Sequence, residues 1–339
     1  MQALHRQVND AGLLFLNEMG LDPGIDHMSA CEWIDHVHAQ GGEIIHFKSH
    51  CGGLVAKESN DNPWGYKFSW NPRNVVLAGQ GNGFIRWREN NTIKYLPYHR
   101  LFASATTVVY KGEAFDSYPN RDSLVYIEPY KLQNAQTVYR GTLRYKGFCN
   151  AWHQLVYLGL CDNTTLLDIN ENETYASFLL KFLKAENNHD IDKKLAEALQ
   201  ISSESEAFKK LKWLGLLENK KIPLTGQHTA AQVLQTILEE KWKLKPGDKD
   251  RVVMIHEFTY RLNEKLLATT AVLDITGTEQ HTAMATTVGL PIGIAARMII
   301  HKTISLKGVI RPVCSEIYSP VLKQLSQCGI NFNIKTVGL

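Results

Sequence analysis

The order of three segments near the start of the chain limits the possible folds more than any other feature of the sequence. Residues 13–17 (Leu-Leu-Phe-Leu-Asn) form a short apolar run, which is typical of a buried parallel strand. Residues 21–24 (Leu-Asp-Pro-Gly) predict a turn, and Ile25–Ala39 carries apolar residues at helical spacing. A strand, a turn and a helix in this order predict an α/β fold with a ligand crevice at the turn.

Residues 4–11 predict a helix that ends at Gly12, directly before this strand. A helix that leads into a buried strand is typical of the later part of a doubly wound parallel sheet. We therefore expect the earlier strands of that sheet to come from sequence outside this chain.

The predicted secondary structure of the rest of the chain changes twice. Short β-rich runs, such as Thr106–Tyr110 and Thr137–Tyr145, alternate with Gly, Pro and Asn between residues 43 and 145. Residues 151–244 carry Leu, Ala, Lys and Glu at helical spacing, which predicts a small all-helical unit. The remaining segments predict a β-hairpin over 252–262 and 266–275, a helix over 282–301 that contains a proline, and a last helix over 319–328.

The composition indicates an ordinary globular protein. Its formal net charge is +3, which is too small to indicate nucleic acid or a membrane surface as the main partner. The six cysteines contain no CxxC pair, which favours a reducing compartment, and we expect a cytoplasmic protein. We expect no apolar stretch that approaches the ~20 residues of a membrane span.

Familiar cofactor and metal motifs are weak or missing in the sequence. Residues 79–83 (Gly-Gln-Gly-Asn-Gly) have the spacing GxGxG, and the alternating residues 84–88 that follow predict a strand. A turn is therefore the better interpretation of this glycine-rich segment. No HExxH motif or zinc quartet occurs, and His256 and Glu257 lie next to each other in a predicted strand and point to opposite faces. We predict no metal site.

Three polar segments are better candidates for a functional site. Asp22 lies in the Pro-Gly turn, and Arg121 lies in a polar loop anchored by Pro119. Arg140, Thr142 and Arg144 alternate along one strand and so share one face. Two guanidinium groups and a hydroxyl on one face suit carboxylates, because guanidinium binds them in a bidentate manner. From periodicity alone, pairing of Arg140 and Arg144 with surface acids such as Glu128 is an equal alternative.

These segments closely resemble the saccharopine dehydrogenase family. The matching motifs follow one order over nearly the whole chain: GLDPGIDH at 20–27, HCGGLVAKESNDNPWGYKFSWNPR at 50–73, YPNRDSL at 118–124, RGTLRYKGF at 140–148, VVMIHEF at 252–258 and AMATTVGLP at 283–291. The resemblance implies an NAD- or NADP-linked oxidoreductase of lysine metabolism. Such an enzyme reduces the imine of 2-aminoadipate semialdehyde and glutamate to saccharopine, or catalyses the reverse reaction.

The resemblance also implies roles for individual residues. Asp22 would contact both the substrate and the nicotinamide region, with a catalytic role in orienting the substrate amine, and Leu21 and Pro23 would line the cofactor side. Trp70 is a further candidate cofactor contact. The substrate carboxylates would be held by Arg121, Thr142, Leu143 and Arg144.

The fold that the resemblance implies is α/β with four parts. Residues 1–24 would end a Rossmann-type dinucleotide-binding domain to which residues 291–339 return. Residues 25–150 and 246–290 would form an α+β domain for substrate binding and dimerisation, and residues 151–245 an inserted helical domain. The family's main phosphate-binding loop has no counterpart in this sequence. Two hypotheses follow: a catalytic homodimer whose cofactor half comes from a separate Rossmann-domain chain or was lost, or a non-catalytic dimerising and binding fragment.

Overall fold

The computed structural model describes residues 2–81, 83–183, 187 and 189–339. The strands are β1 Leu14–Leu16, β2 Glu43–Val55, β3 Phe84–Glu89, β4 Thr92–Pro97, β5 Thr106–Tyr110, β6 Glu113–Pro119, β7 Thr137–Tyr145, β8 Leu166–Ile169, β9 Gly226–Thr229, β10 Asp250–Leu262, β11 Lys265–Thr276, β12 Gly308–Ile310 and β13 Asn333–Gly338. The α-helices are α1 His5–Asp10, α2 Ile25–Ala39, α3 Pro72–Val76, α4 Phe148–Tyr157, α5 Tyr175–Leu183, α6 Ile191–Leu199, α7 Glu206–Leu214, α8 Ala230–Lys241, α9 Ala283–Ile300 and α10 Ser315–Gln327.

A large mixed sheet forms the centre of the molecule. Its main strand order is β13-β11-β10-β2-β7-β3-β4, with β6 pairing along the second half of β7 and β5 pairing with β6. The pair β2 and β7 is parallel, whereas β2 and β10 are antiparallel. Arg140, Thr142 and Arg144 therefore lie on a central strand that is hydrogen-bonded on both sides, which fixes their backbone.

The helical region packs around a cluster of aromatic rings. Trp64, Phe148, Trp152 and Trp242 are buried, with ring centroids between 5.3 and 6.1 Å apart. Trp64 precedes the predicted helical range, so the aromatic core joins residues of both regions. Helix α8 begins with a capping box in which Thr229 and Gln232 satisfy each other's backbone N–H groups. The predicted domain boundaries remain predictions.

The two ends of the chain meet in a second, small sheet. Strand β1 pairs in parallel with β12, and Leu14 is opposite Gly308. The strand is less buried than its apolar sequence predicts, because Leu13 and Phe15 are both exposed. Strand β13 then pairs with β11 in the large sheet, so the carboxyl-terminal segment contributes to both sheets.

The secondary structure agrees with the sequence at the strongly patterned segments and differs at weaker ones. Helix α2, strand β7 and the hairpin β10–β11 are present where they are predicted, and Phe84–Glu89 is a strand after the glycine-rich turn. The antiparallel pair β8 and β9 within the helical region and the strand β13 were not predicted. Asn82 of the glycine-rich segment and residues 184–186 and 188 of the helical region lie outside the described residues.

Helix α9 is closer to a membrane-spanning length than the sequence analysis expects. It has 18 residues and a mean hydropathy of 1.6, so it is long and apolar enough to cross a bilayer by length and composition. Thr287, Ile294, Ala295 and Met298 of this helix are buried against the rest of the molecule. The core helix of a globular protein meets the same two criteria, so this is weak support for a span.

Candidate functional site

The Pro-Gly turn holds Asp22 at the start of helix α2. The backbone N–H of Ile25 donates to the carbonyl of Gly20 over 2.9 Å, and the carboxylate of Asp26 accepts the N–H of Gly24 over 2.6 Å. Gly24 has a φ of 152°, and a Cβ built on it would lie 2.0 Å from the carbonyl oxygen of Gly20. Only glycine fits this position, and the closed turn directs Asp22 toward the end of the large sheet.

Strand β7 presents its polar side chains to the same place. Thr142 and Arg144 line the cavity beside Asp22. Arg140, two residues before Thr142 on the same face, is buried below the cavity and contacts Asp22. Leu143 faces the opposite side of the sheet, where it packs with Leu54, Phe115, Val253, Ile255 and Val272. The prediction that Leu143 binds substrate can therefore refer only to its backbone.

Arg144 is a buried cation with an unusual environment. Only 3% of the residue is exposed, and its guanidinium carbon lies 5.0 Å from the ring centre of Tyr66, 5.5 Å from Phe148 and 5.7 Å from Tyr118. It donates one hydrogen bond, to the carbonyl of Leu143 over 2.8 Å. Within the described residues no carboxylate pairs with it, and its Nε has no hydrogen-bond partner. A buried cation in this state is prepared for an external anion.

Arg121 supplies a second cation at the mouth of the cavity. It follows β6 in an exposed loop with a φ of 59°. The carboxylate of the adjacent Asp122 pairs with Arg86 instead of Arg121, since Nε of Arg86 donates to it over 2.9 Å. Arg121 and Asp22 line the same cavity. In the described part of the chain its guanidinium has no hydrogen bond or ion pair, so it is free to meet a ligand.

A cavity of about 810 Å³ connects these groups. Asp250, at the start of β10, accepts the N–H groups of Ala283 and Met284 over 2.5 and 2.9 Å and so brings the first turn of α9 to the cavity wall. This contact is favourable because a carboxylate lies at the positive end of the helix. The polar residues of the wall include Asp22, Asn120, Arg121, Thr142 and Arg144. Its apolar residues include Leu21, Pro23, Trp70, Leu77, Ala78, Ile85, Leu101, Met284 and Val288.

Trp70 lines the cavity, and 40% of the residue is exposed. Its Nε1 donates to the hydroxyl of Tyr66 over 3.2 Å, which orients the indole ring. The structure therefore brings together at one cavity seven residues that the sequence singles out, namely Leu21, Asp22, Pro23, Trp70, Arg121, Thr142 and Arg144. They come from segments far apart in the sequence, and their meeting depends on the pairing of β2 with β7 and of β6 with β7.

A buried ion cluster supports Asp22 from below. The guanidinium of Arg140 donates to Asp22 and to Asp26, and lies 4.0 Å from the ring centre of Tyr126. Burial raises the pKa of Asp22, against the opposing attraction of Arg140. Burial also acts to raise the pKa of Asp26, but Arg140, then His27, outweigh it and lower that pKa. Of the two carboxylates, Asp22 is thus the one suited to take up a proton.

Sequence reasoning missed Asp26 and several cavity residues, including Cys51, Gly53 and Tyr118. The two-residue periodicity of β2 was an available signal for Cys51 and Gly53, whereas nothing in the sequence indicates that Asp26 meets an arginine.

The alternative that Arg140 and Arg144 pair with surface acids such as Glu128 is wrong for both arginines. Arg140 pairs with Asp22 and Asp26 instead. Arg144 has no carboxylate partner among the residues that the structure describes. Both side chains are buried, so neither reaches the acids at the surface.

The protein has a mixed α/β fold with a cavity whose wall carries Asp22, Arg121 and the buried, unpaired guanidinium of Arg144. Residues 20–330 match the family model described as "Saccharopine dehydrogenase C-terminal domain". The chain belongs to the saccharopine dehydrogenase family.

Two curated relatives and one solved structure show how far the similarity extends. The NADP+-dependent, L-glutamate-forming saccharopine dehydrogenase of Pyricularia oryzae is 35% identical over 99% of this chain and 77% of its own length. The enzyme of the same name from Schizosaccharomyces pombe is 35% identical over 97% of this chain and 75% of its own length. The apo, histidine-tagged saccharopine dehydrogenase (L-Glu forming) of Saccharomyces cerevisiae superposes with a TM-score of 0.86, at 34% identity over 99% of this chain and 76% of that chain.

Proposed function

We propose that the chain binds saccharopine in this cavity and takes part in its NADP-linked interconversion with glutamate and 2-aminoadipate semialdehyde, in lysine metabolism. The observation that carries this proposal is the buried, unpaired guanidinium of Arg144 on the wall of a cavity that Arg121 and Asp22 also reach. Saccharopine has three carboxylates and a secondary amine, so its site needs fixed cations and an acceptor for the amine proton. The names of the relatives support the same substrates.

In this proposal each polar residue of the cavity contacts a different group of the substrate. Arg144 and Thr142 hold one substrate carboxylate at the closed end, where the surrounding aromatic rings exclude water and strengthen the charge interaction. Arg121 holds another carboxylate at the open end. Asp22 lies between them, faces the amine and holds or accepts its proton, which requires a carboxyl group whose pKa is raised toward the working pH.

The cavity also fits part of a nicotinamide cofactor, which supplies or accepts the hydride when it is bound. Leu21, Pro23 and Trp70 present an apolar surface next to Asp22, together with Met284 and Val288 from α9. Such a surface would suit the planar nicotinamide ring, which Leu21, Pro23 and Trp70 would hold next to Asp22. The sequence contains no GxGxxG loop, so we assign no residue of this chain to the phosphates of the cofactor.

The proposal includes a homodimer in the reducing environment of the cytoplasm. Strand β13 is exposed along its whole length and carries Ile334 and Val337, both more than 40% exposed. Exposed edge strands of this kind favour association with another chain. All six cysteines are free thiols, which suits a reducing compartment. Analytical ultracentrifugation of the purified chain tests the dimer, and a single monomeric species across the micromolar range would refute it.

Isothermal titration of the purified chain with saccharopine, and separately with NADPH, tests the function. Each titration is repeated after the amino-terminal half of a related enzyme is added as a Rossmann-domain partner. We expect saccharopine binding that Arg121→Gln and Arg144→Met both weaken, and turnover once the cofactor site is complete. Binding without turnover in every mixture would identify a non-catalytic binding fragment, and no saccharopine binding in any mixture would refute the proposed site.

A further inference from the structure

The ion cluster below the cavity has one cation for two carboxylates. One terminal nitrogen of Arg140 contacts both Asp22 and Asp26, and the side chains of Arg140 and Asp26 are only 2% and 1% exposed. Asp22 is 14% exposed and is the member of the cluster that lines the cavity. Arg140 and Asp26 thus reach a ligand only through Asp22.

Arg140 and Asp26 are both held firmly in place. The backbone N–H of Arg140 donates to Ser123 over 3.0 Å, and its guanidinium rests on the ring of Tyr126. Asp26 accepts the backbone N–H of Gly24 with its other oxygen, so it cannot turn away from the cluster. The second terminal nitrogen of Arg140 is buried without a hydrogen-bond partner in the described structure. The guanidinium is therefore fixed between the two carboxylates by contacts on several sides.

We infer that Arg140 and Asp26 are positioning residues that act on the reaction through Asp22, Arg140 by holding its carboxylate and Asp26 by competing for the same guanidinium. This inference rests on the proposed function of Asp22. Arg140 favours the charged form of Asp22, and the nearby negative charge of Asp26 favours the protonated form. A carboxylate held between these opposing influences can exchange a proton with a substrate amine.

The electrostatics of the surroundings agree with this assignment. Burial is the main cause that raises the pKa of Asp22, Arg140 lowers it, and Asp26 raises it. The titratable and charged groups that face Asp22 from the neighbouring elements are Arg140, Asp26, Arg121, His27 and Cys51. Arg121 and His27 also lower the pKa of Asp22, but with smaller effects than Arg140 has. Arg140 and Asp26 are consequently the two residues whose replacement should have the largest effect.

The test is the titration of the Asp22 carboxyl group, followed by NMR on the full chain with ¹³C-labelled aspartate and assigned with Asp22→Asn. We expect Arg140→Gln to raise the midpoint of this titration and Asp26→Asn to lower it, each by about 1 to 3 pH units. The Asp26→Asn variant keeps a side-chain oxygen that accepts the N–H of Gly24, so it is expected to fold even if Arg140→Gln does not. Arg140→Lys, which retains a charge, should restore most of the native midpoint.

Shifts of the Asp22 midpoint in opposite directions in the two variants would establish the inference, because a purely structural role gives no reason for opposite signs. No displacement, or displacement in the same direction by both Asp26→Asn and the folded Arg140 variant, would overturn it. The NMR titration needs no ligand, so its result is independent of whether saccharopine binds. With the active mixture, the pH profile of kcat should move with the Asp22 midpoint while the KM for saccharopine changes less than about threefold.

Discussion

Replacement of Arg144 by methionine should separate function from stability. Arg140 and Arg144 lie on the same face of β7, and both are almost fully buried. They differ in their partners, because Arg140 contacts two carboxylates and Arg144 contacts aromatic rings and one carbonyl. Methionine keeps much of the apolar volume of either side chain and removes its charge. The pair Arg144→Met and Arg140→Met is therefore a matched comparison of an unpaired and a paired buried cation.

The expected magnitudes follow from these contacts. Arg144→Met loses about 2 kcal/mol of cation–π interaction and about 1.5 to 3 kcal/mol from the hydrogen bond to Leu143. It also removes a desolvation penalty of several kcal/mol for an unpaired buried ion. These effects oppose each other, so the free energy of unfolding should change by less than about 2 kcal/mol. Arg140→Met leaves Asp22 and Asp26 uncompensated and should cost about 3 to 5 kcal/mol.

Arg144→Met should have a large effect on substrate binding, in contrast to its small effect on stability. Loss of the charge-assisted hydrogen bonds from Arg144 to a substrate carboxylate costs about 3 kcal/mol, which raises the Kd for saccharopine roughly 100-fold. Denaturant unfolding measures the first quantity and isothermal titration the second. If Arg144→Met destabilises the chain as much as Arg140→Met does and leaves saccharopine affinity unchanged, Arg144 is a structural residue and the site is wrongly assigned.

Three further predictions concern single residues. Arg121→Gln should weaken saccharopine binding roughly tenfold. Because Arg121 is exposed, the free energy of unfolding should change by less than about 0.5 kcal/mol. If isothermal titration shows that the loss of affinity does not become smaller at high salt, the effect is not one of charge. Burial lowers the pKa of His256 to about 4. The neutral ring therefore contributes fully to the free energy of unfolding above about pH 6.5, and this contribution falls by about 3 kcal/mol as the pH drops to 4. Denaturant unfolding of His256→Gln should lack this loss, and an unchanged pH dependence would refute the prediction. Gly24→Ala should lower the thermal midpoint and displace Asp22, because the added Cβ would overlap Gly20. Gly289→Ala is the control, since open space surrounds that position, and it should stabilise α9 by roughly 0.5 to 1 kcal/mol. Equal effects of the two variants in calorimetry would show that the turn adapts.

The sequence by itself was sufficient wherever a local pattern sets the structure. Helix α2 and strands β5 and β7 have the predicted bounds, because apolar spacing and the flanking Gly and Pro residues act within a few positions. The alternation along β7 also correctly placed Arg140, Thr142 and Arg144 on one face. The family followed from the order of motifs over the chain, and the family model and the relatives confirm it.

Tertiary structure decided which of these residues have partners. Arg140 and Arg144 are indistinguishable by periodicity, and their different roles depend on the position of the turn at residues 20–24 beside β7, which is remote from it in sequence. Strand β13 and the paired strands β8 and β9 were not predicted because their short sequences acquire strand structure from long-range pairing. A sequence pattern fixes the face on which a side chain lies, but its charge is neutralised, or left available to a ligand, only by groups that folding brings within a few ångströms.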